Sequence, residues 1–276
     1  MNSVVEDVIY SSPFLKWAGG KRKLVEVIAK SLAGGDRLVE PFVGSGAVFM
    51  GTNYKKYLLC DTNADLIGLF NNLKNNTEKL LAETEILFSG KYKTEEAFYE
   101  LRERFNTLEA EDIKKSALFV YLNKHAFNGL CRYNNKGYFN VPFGKYTNPQ
   151  LPNKEMLLFA KKAQIAEFKC LDFKETFKLV KKGDVVYADP PYVPISATSS
   201  FTTYAKENFK LEAQNALADE ANKAKANGIR VVISNSDQSI TREMYKNSEI
   251  ESIDVMRSIS SKGSTRGKVK ELIAIF

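Results

Sequence analysis

The segment Asp189-Pro190-Pro191-Tyr192 follows a short apolar run and carries groups that could recognise an amino group on a flat ring. The two prolines lack an N–H and have a fixed φ, so the loop is stiff and its carbonyl groups act as acceptors. The Asp189 carboxylate and a proline carbonyl form two acceptors for one exocyclic amino group, and the Tyr192 ring offers a face for stacking a base. A plain turn is the alternative, because Pro and Asp are common in turns.

A glycine-rich turn at residues 40–46 (Glu-Pro-Phe-Val-Gly-Ser-Gly) follows another apolar run. Gly44 and Gly46 would let backbone N–H groups and a helix N-terminus approach a ligand closely. The third glycine of the dinucleotide fingerprint is missing, since position 49 is Phe, and a strand-to-helix joint alone also needs glycine. Asp61 ends the next apolar run and could hold both hydroxyls of a ribose. The glycine turn and Asp61 together favour a cofactor that contains a nucleoside.

The segment 13–23 precedes the first predicted strand and holds the only tryptophan, Trp17, with two glycines and four basic residues. One interpretation is a solvated basic helix cap. The other is a binding segment in which Lys21 approaches a carboxylate over the Gly19-Gly20 turn. The residues alone leave both open.

Two stretches combine positive charge with a lack of acidic residues. Residues 121–150 contain four basic residues and no acidic one, with seven aromatic rings interleaved. Residues 255–270 add five basic residues, again without an acid. Cations can contact phosphates, arginine can read guanine edges and rings can stack on bases, so we predict a surface that faces duplex DNA. A hydrophobic hairpin with solvated lysines is the alternative.

The composition of the 276 residues excludes several classes of function. Forty Lys and Arg against 33 Asp and Glu give a net charge of +7, which favours an anionic partner. The single histidine, His125, argues against a multi-histidine metal site or a serine–histidine triad, and we interpret it as structural. Cys60, Cys131 and Cys170 are widely spaced, and we interpret them as inert packing residues of an intracellular protein. Neither a membrane span nor a signal peptide is expected.

Apolar runs and helical patterns alternate at both ends of the chain. They predict a helix over 211–226 and strands over 37–43, 57–60, 184–188, 229–234, 249–256 and 269–276. This alternation predicts an α/β fold with a mostly parallel sheet, closed by a C-terminal antiparallel hairpin. Residues 64–152 instead show helical patterns and then a loop-rich, hairpin-like stretch at 127–146. We therefore predict a domain made of residues 1–63 and 153–276, with an inserted DNA-recognition subdomain at 64–152.

Together these residues resemble the DNA adenine-N6 methyltransferases of the Dam family, from residue 14 to residue 276. The resemblance is carried by residues 14–21, 40–46, 121–124, 128–134, 139–146, 189–192 and 257–261. The order of glycine turn, insert and Asp-Pro-Pro-Tyr is that of the family's α-group. The resemblance implies a Rossmann-like methyltransferase sheet and an enzyme that modifies adenine in duplex DNA.

The resemblance also implies S-adenosylmethionine as methyl donor, without a metal. The residues that match the family's cofactor-binding positions are Trp17, Lys21, Phe42, Gly44, Gly46, Asp61 and Asp189. The matching catalytic positions are Asp189 and Pro190, whose carboxylate and carbonyl would accept hydrogen bonds from the adenine N6 amino group. Tyr192 would stack on the flipped base.

Members of the Dam branch read GATC with their hairpin. The matching positions here are Lys16, Leu130, Arg132, Pro142 and Tyr146, with Asn128 near the opened base pair. Lys145 departs from the pattern, which usually has arginine there. A lysine lacks the bidentate fork, so we expect a change in backbone contacts more than in base reading.

Three alternatives stay open at this point. The same chemistry could serve a different recognition sequence. A cytosine-N4 enzyme commonly has Ser in place of Asp189, and protein-glutamine or RNA enzymes commonly have Asn, so the Asp favours adenine. The third alternative is a DNA-binding relative that has lost catalysis. A changed Asp189 or a missing Asp61 would support it, but both residues are present. We further expect a monomer that acts on DNA in the cytoplasm of a bacterial or phage-infected cell.

Overall fold

The structure is a computed structural model that describes residues 12–192, 209, 211–256 and 268–276. The chain divides into two compact units. The first contains Met1–Val25, Val43–Asn53 and Asp61–Cys170, and the second contains Glu26–Phe42, Tyr54–Cys60 and Leu171–Phe276. These boundaries differ from those of the predicted functional division into 64–152 and the remainder, which stays a prediction.

The described residues form seven strands and ten α-helices. The strands are β1 (Arg37–Glu40), β2 (Lys56–Asp61), β3 (Ala166–Cys170), β4 (Asp184–Ala188), β5 (Arg230–Ser236), β6 (Glu249–Met256) and β7 (Lys268–Ile275). The first five helices are α1 (Val25–Ser31), α2 (Ala47–Gly51), α3 (Ala64–Asn75), α4 (Thr77–Leu87) and α5 (Glu95–Phe105). The others are α6 (Ile113–His125), α7 (Asn153–Ala163), α8 (Phe173–Phe177), α9 (Leu211–Ala226) and α10 (Ser239–Met244).

The sheet strands of the second unit lie in the order β2-β1-β4-β5-β7-β6. Neighbours among β2, β1, β4 and β5 run parallel. Strand β7 runs antiparallel to both β5 and β6, and pairs Glu271 with Ser236 of β5. The predicted α/β fold, mostly parallel with an antiparallel C-terminal hairpin, is confirmed.

Strand β4 shows how the core positions the loop that follows it. All five of its residues are buried, which is typical of a parallel strand covered on both faces. Helix α9 contributes Leu217 and three small residues, Ala218, Ala221 and Ala224, to the same apolar cluster. The helix has its predicted bounds and ends before Gly228, whose φ of 73° suits a helix C-terminus. The carboxyl end of β4 is therefore held in a packed layer.

The first unit is mainly helical and has an aromatic core. The Phe159 ring lies 5.2 Å from Phe14, 5.3 Å from Phe49 and 4.6 Å from Phe70, measured between centroids. Helices α3, α5 and α6 begin at Asn63, Thr94 and Asp112, whose side chains accept backbone N–H groups as N-caps. These three helices match the helical patterns predicted in the insert. Helices α4 and α7 and strand β3 were not predicted.

The hairpin-like stretch 127–146 is less regular than a two-stranded ladder. Isolated antiparallel bridges pair Ala126, the residue just before the stretch, with Phe143, and Tyr133 with Phe139. A 3₁₀ turn at Phe127–Gly129 opens it. The two bridges join the two sides of the stretch.

The interpretation of the isolated histidine and cysteines is partly confirmed. His125 is buried and its ring stacks on Tyr121 with centroids 4.0 Å apart, so it is a packing residue. Cys60 is buried as predicted, but Cys170 is exposed, so its interpretation as a packing residue was wrong. Among the helices that the structure describes, none is long and apolar enough to cross a membrane.

Candidate active site

The glycine turn after β1 is held by Asp61, which accepts a backbone N–H on each carboxylate oxygen. Gly44 N donates to Oδ2 at 3.1 Å and Asn63 N donates to Oδ1 at 3.0 Å. Burial raises the pKa of the Asp61 carboxyl, while these backbone hydrogen bonds act in the opposite direction. Because each carboxylate oxygen has a second lone pair, Asp61 can fix the turn and also accept a ligand hydroxyl.

Trp17 lies against the same turn. A Cβ at position 44 would lie 2.8 Å from Trp17 Nε1, and Gly44 has a φ of 49°. Glycine is therefore required both by the lack of room for a side chain and by the left-handed backbone. Gly46, with a φ of 72°, is the N-cap of α2. Lys21 is buried, and its Nζ donates to the Gly19 carbonyl at 2.8 Å. The first unit thus brings Trp17, Gly44 and Asp61 together.

Phe42, also predicted to line the cofactor pocket, lies in the second unit among other rings. Its ring stacks on Phe173 with centroids 5.9 Å apart and meets the edge of Phe209 at 5.5 Å. This packing explains a phenylalanine at this position. Its contact with a cofactor stays a prediction.

The Asp189–Tyr192 loop begins where β4 ends. Pro190 is buried, whereas Asp189 and Tyr192 are partly accessible. Tyr192 Oη donates to Glu271 Oε2 on β7 at 3.1 Å. Burial raises the pKa of Tyr192 well above its ordinary value, and the charges of Asp189 and Glu271 add to this shift. The phenol therefore stays protonated and keeps donating to Glu271, a residue that the sequence analysis did not single out.

Lys16 and Tyr146, both predicted to contact DNA, lie together in the first unit. Lys16 Nζ is 4.1 Å from the centroid of the Tyr146 ring, and desolvation lowers the pKa of this lysine. The buried Asn123 side chain accepts from Lys16 N at 2.8 Å and donates to Lys16 O at 2.8 Å and Gly129 O at 3.3 Å. Asn123, to which the sequence analysis gave no individual role, therefore ties the N-terminal segment to the hairpin stretch.

Four other predicted DNA-binding residues lie on the two sides of this stretch. Asn128, Pro142 and Lys145 are exposed and Leu130 is partly buried. Phe127 N donates to the Pro142 carbonyl at 2.9 Å, which joins the two sides next to Asn128. Asn128 and Lys145 have φ values of 55° and 54°, in the left-handed region.

Arg132 is held from the opposite side of the stretch by Asn140. Its Nε donates to Asn140 Oδ1 at 2.7 Å and its Nη2 donates to Asn140 O at 3.2 Å. The neighbouring Tyr133 donates to Asp65 Oδ2 at 2.7 Å, and Lys115 pairs with Asp65 Oδ1 at 2.9 Å. These bonds anchor the base of the stretch to α3 and α6.

The second basic stretch is described only at its ends. Lys268 and Lys270 lie on β7. Arg257, Lys262 and Arg266, and the family-like residues 257–261, fall outside the described residues. In the part of the chain that is described, no group of three or more His, Cys, Asp or Glu could hold a metal ion.

Known proteins with similar sequences identify the family. Residues 17–259 match the D12 class N6 adenine-specific DNA methyltransferases. A DNA adenine methylase of Salmonella typhi is 46% identical over 263 residues, which cover 95% of this chain and 94% of that protein. Those of Vibrio cholerae (46% identical, 95% of each chain) and Escherichia coli K12 (45%, 95% and 94%) are similar over the same extent.

This chain belongs to the D12 class of N6 adenine-specific DNA methyltransferases. The family acts on DNA and implies S-adenosylmethionine as the donor. The predicted membership of the Dam family and the predicted enzyme class are confirmed. The match to a solved precorrin 8W decarboxylase from Methanobacterium thermoautotrophicum covers 98% of this chain and 96% of that one, with 11% identity and a TM-score of only 0.38.

Proposed function

We propose that this D12-class methyltransferase moves a methyl group from S-adenosylmethionine to adenine N6 in GATC sites of duplex DNA, after flipping the adenine out of the helix. The single observation that carries the proposal is the Asp189–Tyr192 loop at the end of the buried strand β4. It supplies two acceptors and a ring in one stiff segment. We propose that the protein works as a monomer in the cytoplasm of a bacterial or phage-infected cell.

The proposed cofactor site draws on both predicted motifs. Asp61 would accept the ribose hydroxyls while its carboxylate holds the turn through Gly44. Trp17 would contact the cofactor with its ring, and Lys21 would contact it with its charged amino group. The other residues that match the family's cofactor-binding positions are Gly46 in the first unit and Phe42 and Asp189 in the second. Bound S-adenosylmethionine would supply an electrophilic methyl group on its sulfonium, and we propose that no metal takes part.

The proposed chemistry depends on activating a poor nucleophile. The lone pair of the adenine N6 amino group is delocalised into the ring. If the Asp189 carboxylate and the Pro190 carbonyl each accept one of its hydrogens, a pyramidal nitrogen is favoured and its lone pair is directed at the methyl group. Tyr192 would stack on the flipped base, with its hydroxyl held by Glu271 at 3.1 Å.

The proposed reading of GATC uses the hairpin stretch and the segment before it. Arg132 would read a guanine edge. Lys16 and Tyr146, already in contact at 4.1 Å, would act as one recognition unit. The other proposed contacts are Leu130 and Pro142 to bases, Asn128 near the opened pair and Lys145 to the backbone.

The Asp189→Ala variant tests the proposal. It should lower the rate of methyl transfer by at least about 10²-fold, because one acceptor of the amino group is lost. Binding of a GATC duplex should stay within a few-fold of the wild type, because the hairpin is unchanged. Asp219→Ala, which removes an exposed carboxylate on α9, is the matched control and should transfer normally. Near-normal transfer by Asp189→Ala would refute the catalytic role.

A further inference from the structure

The Asp189–Tyr192 loop has few ways to be anchored. Pro190 and Pro191 have no N–H to donate, so at these two positions the backbone can be held only through its carbonyl groups. The proline rings fix φ at two positions, and each residue before a proline is restricted to extended ψ values. Of the φ and ψ angles of Pro190 and Pro191, the ψ of Pro191 is then the one that neither effect restricts. It sets the direction of the Pro191 carbonyl and the position of Tyr192.

Gln214 on α9 holds that carbonyl. Its side chain is 1% exposed, and its Nε2 donates to the Pro191 oxygen at 2.7 Å. Its Oε1 accepts from Asn235 Nδ2 at 3.0 Å and from Tyr245 Oη at 3.3 Å. Because two donors face Oε1, the amide can present only its nitrogen to the loop.

Asn235 and Tyr245 are themselves fully buried and connected. Asn235 Nδ2 also donates to Tyr245 Oη at 3.1 Å, and Asn235 Oδ1 accepts from Ser236 N at 2.9 Å. Burying such groups is costly unless their hydrogen bonds are made, and apolar side chains of similar size would avoid that cost. The network ends on the one carbonyl that controls the loop, which indicates a role beyond core packing.

We propose that Gln214 is a positioning residue for methyl transfer: by holding the Pro191 carbonyl it fixes the ψ of Pro191 and so places the Tyr192 ring against the flipped base. This inference rests on the proposed function, because it takes Tyr192 as the stacking residue. The Tyr192–Glu271 hydrogen bond then fixes the far end of the same side chain.

The first test replaces the amide by a side chain of similar length without a donor. Gln214→Met should lower the single-turnover transfer rate on a GATC duplex by up to about 10²-fold, the size expected when a reacting group is misplaced. Binding of the duplex should change little. Gln164→Met is the matched control, because the Gln164 amide also donates to backbone carbonyls, those of Lys74 at 2.9 Å and Ala160 at 3.2 Å.

The second test uses Gln214→Glu, which has nearly the same shape. An ionised carboxylate cannot donate to the Pro191 carbonyl, whereas a protonated carboxyl can. Burial raises the pKa of a carboxyl, so lowering the pH should restore the donor. The transfer rate of Gln214→Glu relative to the wild type should therefore rise as the pH falls, whereas the corresponding ratio for Gln164→Glu should stay constant.

Two results would overturn the positioning role. One is a wild-type single-turnover rate for Gln214→Met. The other is a ratio of Gln214→Glu to wild type that does not change with pH, and this ratio decides the matter if Gln214→Met fails to fold. Normal transfer by Asp189→Ala would instead refute the proposed function itself, so the two failures are distinguishable.

Discussion

Two loops that each follow a parallel strand use their backbones in opposite ways. The turn after β1 has glycines in the left-handed region, and an acceptor, Asp61, holds it through Gly44 N at 3.1 Å. The loop after β4 has two prolines and no N–H at those positions. A donor, Gln214, holds it through Pro191 O at 2.7 Å.

The difference matches what each loop would bind. A glycine turn at a helix N-terminus, with a carboxylate behind it, suits the polar and hydroxyl groups of a nucleoside cofactor. An acceptor-rich loop suits an exocyclic amino group, which has two hydrogens to donate. In both cases the group that anchors the loop is complementary to the backbone group that it holds: an acceptor holds an N–H and a donor holds a carbonyl.

Breaking the glycine turn should give the largest effect. In Gly44→Ala the new Cβ would meet Trp17 Nε1 at 2.8 Å, so the turn or the ring must move. We expect the affinity for S-adenosylmethionine, measured by calorimetry without DNA, to fall by about 10²-fold.

Gly228→Ala is the control for Gly44→Ala, because it introduces the same kind of backbone strain without a steric clash. Gly228 has a φ of 73°, but a Cβ there meets nothing within 4 Å. This control should lose about 1–2 kcal/mol of unfolding free energy from the left-handed backbone and keep normal cofactor affinity. Equal losses of cofactor affinity in both variants would mean that the contact between Trp17 and Gly44 is not needed for cofactor binding.

We expect that neither the glycine turn nor the Asp189–Tyr192 loop reads the DNA sequence. Arg132→Ala should lower discrimination at one base pair of the site by about 1–3 kcal/mol, while cofactor affinity stays normal. The measurement is kcat/KM on duplexes that each differ from GATC at one position. Lys136→Ala, an exposed cation of the same stretch, should leave discrimination unchanged. An unaltered preference in Arg132→Ala would remove this residue from the reading set.

A smaller and more specific effect concerns pH. Because burial raises the pKa of Asp61, its carboxylate is protonated at a higher pH than an ordinary aspartate. Protonation removes a charged acceptor of the ribose, so cofactor affinity should fall by about tenfold per pH unit below that pKa. Asp61→Asn should bind weakly and without this pH dependence. An acidic loss of affinity of the same size in Asp61→Asn would contradict the role of Asp61.

Local patterns predict much of the fold and of the candidate site. The bounds of α9, β4 and β6 follow from strong periodicity and clear ends, and the Asp189–Tyr192 loop is contiguous in sequence. Helix α4 buries only Leu80, Thr84 and Leu87, so its pattern is weak. The partners Glu271 and Asn123 lie 79 and 107 residues from the groups they hold, and only strand pairing and helix packing bring them there.

The most direct test of the central claim is methyl transfer from labelled S-adenosylmethionine to short duplexes that contain GATC or one of its single-base variants. We expect label on adenine N6 in GATC and little or none in the variants. Label spread over the other sites would keep the chemistry and contradict the proposed reading by the hairpin stretch. Tight binding to every duplex with no label in any would contradict the proposed function and indicate a DNA-binding relative without catalysis.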